Sequence, residues 1–255
     1  MSPSELADSV IDALLAAPDP VAPIWANWTW DDYQDNNDLY FEHKYEFRLR
    51  WLREMIEEGL RSKLALFWHN HFVTEEVVYD CNSFMWAYYL LLHKNALGNF
   101  RTFVEEMGKN PAMLVYLNGN INVAGQPNEN YARELMELFT MGEGNGYTQT
   151  DIVEVARALT GWRVDRYNCD NAVTFAPNRH DNGIKTIFGQ AGNWGYNDVH
   201  ELIFTLRRDE TARHICGKIY RAFVYQKIDE QVVEAMAETF RSEEHTSELQ
   251  SPCNL

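Results

Sequence analysis

Apolar residues recur at helical spacing along most of the chain. Leu6, Val10 and Leu14 stand four apart and predict a short amphipathic helix over Ser4–Ala17, stopped by Pro18 and Pro20. Phe47, Trp51 and Met55 form the next stripe, ending near Gly59, and Leu64, Phe67, Trp68 and His71 form another. Shorter helices are expected at Asn82–Lys94, Asn99–Met107 and Pro111–Leu117, with Gly98 and Pro111 as punctuation. Asn118–Pro127 reads as a polar loop, after which Asn128 can cap a helix whose core face carries Tyr131, Leu135, Leu138 and Phe139 before Gly142. Thr148 with Asp151 makes a capping-box start, Ile152, Val155 and Leu159 supply that helix's buried stripe, and Gly161 ends it. Helices resume at Asn197–Leu206, Asp209–Tyr225 and Asp229–Phe240.

Two stretches depart from this period. Trp25–Tyr33 is aromatic and acidic, has no sustained spacing, and reads as a loop running to Asn37. Its rings could stack on sugars, but aromatic side chains in helical proteins more often fill the core. Ala172–Ala176 and Ile184–Phe188 read as strands, and the turn-rich segment Pro177–Gly183 is expected to join them. The fold class that follows is mostly α: a single helical domain with one small β-hairpin.

Composition narrows the function. Hydrophobic residues make up 45% of 255, enough for a substantial core and too many for a disordered chain. Acidic side chains outnumber basic ones 38 to 22, a net charge of -16, which argues against nucleic acid as a partner. No apolar run approaches the roughly 20 residues that a membrane span needs. The N-terminal residues lack the basic start and apolar middle of a signal peptide. The four cysteines show neither CxxC spacing nor a disulfide framework; Cys253 falls in the C-terminal tail, and Cys81, Cys169 and Cys216 read as ordinary buried thiols.

Three polar clusters interrupt apolar surroundings: Phe67–Phe72 (FWHNHF), Asn128–Leu138 (NENYARELMEL) and Arg179–Asp181 (RHD). His69 and His71 would project about 200° apart on a continuous helix, so both could bind one ion only if the helix ended there. His71 also shares a stripe with Leu64, Phe67 and Trp68, which fits a hydrogen-bonded core histidine equally well. In the second cluster Glu129, Asn130, Arg133, Glu134 and Glu137 share the face opposite the leucines, with Glu129–Arg133 and Arg133–Glu137 spaced to pair. That face is either a solvated charged surface or the wall of a cleft. In the second case Glu134 is a ligand or base and Arg133 orients an anion. His180 and Asp181 lie in a turn, where function and simple turn chemistry are both common.

Read together, FWHNHF, NALGNFR (Asn95–Arg101), NPAMLVYL (Asn110–Leu117), NENYARELMELFTMG, YTQTDIVEVARALTGW (Tyr147–Trp162) and HDNGIKTIFG resemble the bacterial family called domain of unknown function 1800. The likeness runs from Glu42 to Phe240. It leaves residues 1–41 as an N-terminal helix and aromatic-acidic loop, and 42–240 as the family's helical domain. The resemblance implies a predominantly helical, often exported protein of the periplasm or cell surface, and it carries no activity. The chain lacks the family's usual opening, so Met1 reads as an internal start. Arg241–Leu255 (RSEEHTSELQSPCNL) resembles the in-frame translation of a sequencing adapter, so the natural C-terminal part is expected to be missing and the tail to take no part in the fold.

Two functions from different classes fit. One is a metal-assisted enzyme with His69, His71 and Glu129 as ligands and Glu134, Arg133 and His180 in catalysis. That donor set suits zinc, iron or manganese better than magnesium. The other is a non-catalytic envelope or binding protein whose polar motifs lock the fold. Convergence of these side chains on one pocket favours the first, and their dispersal favours the second.

Overall fold

A computed structural model describes residues 18–57 and 59–246, together with positions 5, 6, 9 and 13. The helix expected over Ser4–Ala17 therefore lies largely outside the described residues. The chain runs through α1 (Asn37–Glu57), α2 (Leu60–His71), α3 (Asn82–Lys94), α4 (Phe100–Met107), α5 (Pro111–Tyr116), α6 (Asn130–Glu134) and α7 (Gln149–Ala158). Strands β1 (Trp162–Asp165), β2 (Asp170–Phe175), β3 (Lys185–Ile187) and β4 (Gln190–Gly192) follow, and then α8 (Tyr196–Leu206), α9 (Arg208–Phe223) and α10 (Glu230–Thr246). Single helical turns at Trp30–Tyr33 and Glu76–Tyr79 interrupt the loops. The protein is mostly α, as the periodicity implies, and none of its described helices is long and apolar enough to cross a membrane.

Local chemistry explains the helix starts. The side chains of Asn99, Asn110 and Thr148 accept hydrogen bonds from the backbone N–H groups of Thr102, Ala112 and Asp151, donors that the first turn would otherwise leave unpaired. Asn128 does similar work one residue before the cap of α6, accepting from Asn130 N at 3.0 Å. Helix α3 is apolar on almost every side, and it is correspondingly enclosed. Phe84, Met85, Trp86, Tyr88, Tyr89 and Leu92 are all buried, and α1, α2, α4 and α5 pack around it. The Trp25–Tyr33 loop joins this core: Trp25 is buried against His43, Phe47 and Trp86. A smaller cluster of Cys216, Tyr220, Val233 and Ala237 fixes α10 to α9.

The structure corrects four expectations. Both predicted strands exist, but they do not pair with each other. The first pairs with β1, in the register Trp162↔Phe175, and the second with β4, Lys185↔Gly192. The missed partners are four and three residues long, too short to show an alternation. Phe188 and Gly189 both have positive φ, at 50° and 79°, which suits the two-residue turn that folds β3 directly back onto β4.

The helix beginning at Asn130 is the second correction. It widens into a π-helical segment over Leu135–Thr140, where Met141 N donates to Met136 O at 3.0 Å. The wider repeat rotates Leu138 out to 47% exposure and brings Met136 and Thr140 inward. Third, the chain does not break at Arg241. Ser-Glu-Glu continues α10 to Thr246, and Arg241 pairs with Glu234 at 2.9 Å and Asp209 at 3.6 Å. The remainder of that tail lies outside the described residues.

Fourth, Cys81 and Cys169 form a disulfide, their Cα atoms 5.5 Å apart across a sequence separation of 88. Cys81 is the N-cap of α3, and Cys169 sits in the β1–β2 turn. The link ties that turn to the start of the central helix, beside the hydrogen bond from Ser83 Oγ to Cys169 O at 2.8 Å. Only the tertiary fold brings two residues so distant in sequence together. Because the loop it closes is long, replacing Cys81 and Cys169 with serine should cost about 2–5 kcal/mol in urea unfolding. Reductant should lower the stability of the wild type by the same amount and leave the double variant unchanged.

Candidate functional site

The two histidines of FWHNHF project to opposite sides of α2. His69 bonds through Nδ1 to the Tyr88 hydroxyl at 2.9 Å, and that hydroxyl donates onward to Phe72 O at 2.8 Å. His69 is therefore the Nδ1-protonated tautomer, packed edge-on against Trp51. His71 is buried, and its Nε2 donates to Phe139 O at 3.1 Å. From α9, His214 Nε2 makes the matching bond to Leu138 O at 3.2 Å. Two imidazoles thus take the carbonyls at the end of the π-helical segment, a C-terminal cap supplied from elsewhere in the chain. Burial, with the Lys218 charge nearby, pushes the pKa of His71 well below the ordinary histidine value.

The second cluster is an outward-facing network. Arg133 bonds Glu129 at 3.0 Å, Glu137 at 3.1 Å and the side-chain oxygen of Gln149 at 3.0 Å, and Gln149 also donates to Glu129. The network links α6 to the start of α7. Glu134 makes neither an ion pair nor a hydrogen bond among the described residues. Burial, then the neighbouring Glu137, raises its pKa, against the opposing effect of Arg133.

The third cluster closes a loop system. His180 Nδ1 meets the Thr160 carbonyl at 2.9 Å, and Asp181 accepts two hydrogen bonds from Arg157 of α7, one of them from Nε at 2.8 Å. Arg157 also binds Glu154, whose carboxylate accepts the N–H of Thr186. Asp151 likewise accepts the N–H of Phe188. The acidic side chains of α7 therefore hold the β3–β4 hairpin in place. Lys185 is fully buried there and donates to Asp181 O and Asn193 Oδ1; burial lowers its pKa. At Gly161, whose φ is +103°, a Cβ would lie 2.9 Å from the Phe175 ring and 3.3 Å from His180 Cβ, so the close approach requires glycine.

Glu129 bonds Arg133, Arg133 acts on the neighbouring Glu134, and His71 reaches the end of the Asn130–Thr140 helix through the Phe139 carbonyl, while His69 bonds Tyr88 and His180 bonds Thr160. Among the described residues, no three His, Cys, Asp or Glu side chains cluster in a way that could hold a metal ion.

Of the candidate residues, His180 also helps to line a cleft. Its volume is about 440 Å³, and Lys109, Trp162, Phe175, Tyr196 and Asp198 line it. The Lys109 ammonium sits 4.8 Å from the Tyr196 ring centre and 5.5 Å from that of Trp162, and it makes no ion pair among the described residues. The Trp162 indole N–H is buried without an acceptor. Asp198 is partly occupied, accepting the Gly195 N–H at 2.8 Å. No sequence period could have singled out Lys109, which stands alone between α4 and α5. Lys185 was at least visible within HDNGIKTIFG.

The model of the family described as protein of unknown function (DUF1800) matches residues 3–253, so the chain belongs to that family. The match is wider than the Glu42–Phe240 stretch spanned by the motifs. No curated protein and no solved structure matches the chain.

Buried imidazoles make stability depend on pH. Burial, with nearby arginines, lowers the pKa of His93 from 6.5 to about 4; burial, partly opposed by a bond to Tyr196 O, does the same for His200. Between these values the unfolded chain binds protons that the native one refuses. Stability should therefore be full above pH 6.5 and fall as pH drops toward 4, by about 1.4 kcal/mol per pH unit for each group. Urea unfolding between pH 7 and 5 checks this, and His200→Gln should flatten the slope by one group's share.

Proposed function

We propose that this DUF1800 protein is a non-catalytic binding protein, whose polar motifs hold the fold and whose cleft takes a small carboxylate-bearing ligand with a flat apolar body. The carrying observation is Lys109: an ammonium over two aromatic faces, in a cleft, with no carboxylate partner among the described residues. The aromatic faces attract the cation but leave its net charge uncompensated, so a ligand anion gains a charge-assisted bond. Trp162, Phe175 and Tyr196 supply apolar walls for a planar ring. The motifs first considered as an enzyme's site support this reading through their partners: His71 caps a helix end, Arg133 joins two helices, and the Asp181–Arg157 pair clamps a hairpin. The Cys81–Cys169 disulfide supports a place outside the reducing cytosol, in keeping with an exported protein.

Calorimetric titration with benzoate and glucuronate is the test. Both, or one, should bind the wild type. Lys109→Ala should weaken binding by about tenfold or more, a loss of about 1.4 kcal/mol, while Lys109→Arg should keep most of it. Binding unaffected by Lys109→Ala would remove the cleft from consideration. Metal analysis of the same preparation decides against the enzyme reading or for it. Stoichiometric zinc, iron or manganese that is lost in Glu134→Gln or His71→Ala would favour the metal-assisted enzyme.

A further inference from the structure

Helix α1 carries two apolar faces, and the fold uses only one. Tyr40, Phe47 and Glu54 are buried toward α3, where the Glu54 carboxylate accepts from the Tyr89 hydroxyl and pairs with Arg50. On the opposite side Phe41, Tyr45, Leu49, Leu52 and Ile56 form a second stripe, each between 47% and 83% exposed. At 100° per residue these five side chains fall within about 80° of arc, a continuous ridge along a 21-residue helix about 30 Å long. Exposed apolar residues scattered singly need no explanation, but five in a row on one helix face do.

We infer that this ridge is the interface of a homodimer in which two α1 helices pack antiparallel about a twofold axis at Leu49. In that orientation the spacing sets unlike side chains against each other. With Leu49 against its own copy, Tyr45 falls opposite Leu52 and Phe41 opposite Ile56, so each layer joins an aromatic ring to an aliphatic side chain. A parallel pair would set Phe41 against Phe41 and Ile56 against Ile56.

The flanking charges favour the same arrangement. Glu42, Glu46 and Arg53 lie along one edge of the ridge, all exposed, and neither Glu42 nor Arg53 has an ion-pair partner among the described residues. Like edges meet in an antiparallel pair. Arg53 of one copy then lies between Glu42 and Glu46 of the other, twice per dimer. The basic residues on the opposite edge are already used: Arg48 and Lys44 pair with Glu76, and Lys44 also with Asp80. A second copy therefore satisfies both the apolar ridge and the free charges, independently of what the cleft binds.

Sedimentation velocity between about 1 and 100 µM, a range chosen for a single helix-pair contact at the weak end of interface sizes, should show a monomer of 29.7 kDa converting to twice that mass. Leu52→Glu should hold the chain monomeric with unchanged circular dichroism, since the residue touches no core. Arg53→Glu should weaken the dimer about tenfold or more, and combining it with Glu42→Arg and Glu46→Arg should restore it. Leu49→Cys should cross-link to itself under mild oxidation, whereas Phe41→Cys should not, because a parallel pair alone would bring that position onto the axis. A wild type that stays monomeric at 100 µM overturns the inference. A dimer that survives Leu52→Glu, or one in which Phe41→Cys cross-links, overturns it as well.

Discussion

The helix end at Leu135–Thr140 has to be closed deep inside the protein, and much of the surrounding structure follows from how that is done. Phe139 and Thr140 are buried, and because the helix ends there the Phe139 carbonyl and the more exposed Leu138 carbonyl have no ordinary helical partner. An unpaired carbonyl in a dry interior costs about 1–3 kcal/mol, so partners must be brought to it. His71 comes from α2 and His214 from α9, each donating through Nε2. This fixes the rotation of α2 about its axis. With His71 turned inward to Phe139, His69 must face the other way, toward Trp51 and Tyr88. The two histidines that resemble a ligand pair in the sequence are separated by the requirement that one of them be a cap.

The same rule governs α7 and the hairpins. Strands of three residues bury little apolar surface and cannot stand alone. Asp151, Glu154 and Arg157 compensate by accepting or donating to the backbone and side chains of the β3–β4 segment. Carboxylates that receive backbone N–H groups form stronger bonds than neutral acceptors, which suits a segment held by so few contacts. The β1–β2 hairpin is fastened differently, by the Cys81–Cys169 disulfide and by hydrogen bonds from Trp30 N and Ser83 Oγ. The cleft lies between the β1–β2 hairpin, His180, Lys109 and the start of α8.

Polar residues in this protein thus divide by what they touch. His71, Arg157, Asp181 and Lys185 are engaged by groups of the chain itself. Lys109, Glu42 and Arg53 have no ion-pair partner among the described residues, although they sit beside apolar surface that would be better covered. An unpaired charge beside uncovered apolar surface is where a ligand or a second subunit has most to gain.

Helix positions were legible in the sequence because they depend on spacing within one segment. The stripes placed α3 to the residue and α4, α5, α8 and α9 to within two residues at either end, and Thr148 with Asp151 marked the start of α7. The family was legible too, since its motifs are runs of consecutive residues. What the tertiary structure alone decided involves residues far apart in the chain: Cys81 meeting Cys169, β1 displacing the expected partner of β2, His71 meeting Phe139, and Lys109 arriving over Trp162 and Tyr196. Periodicity reports which face of an element is apolar. It carries no information about which distant group will satisfy a buried donor or acceptor, because that partner is brought in by the packing of other elements.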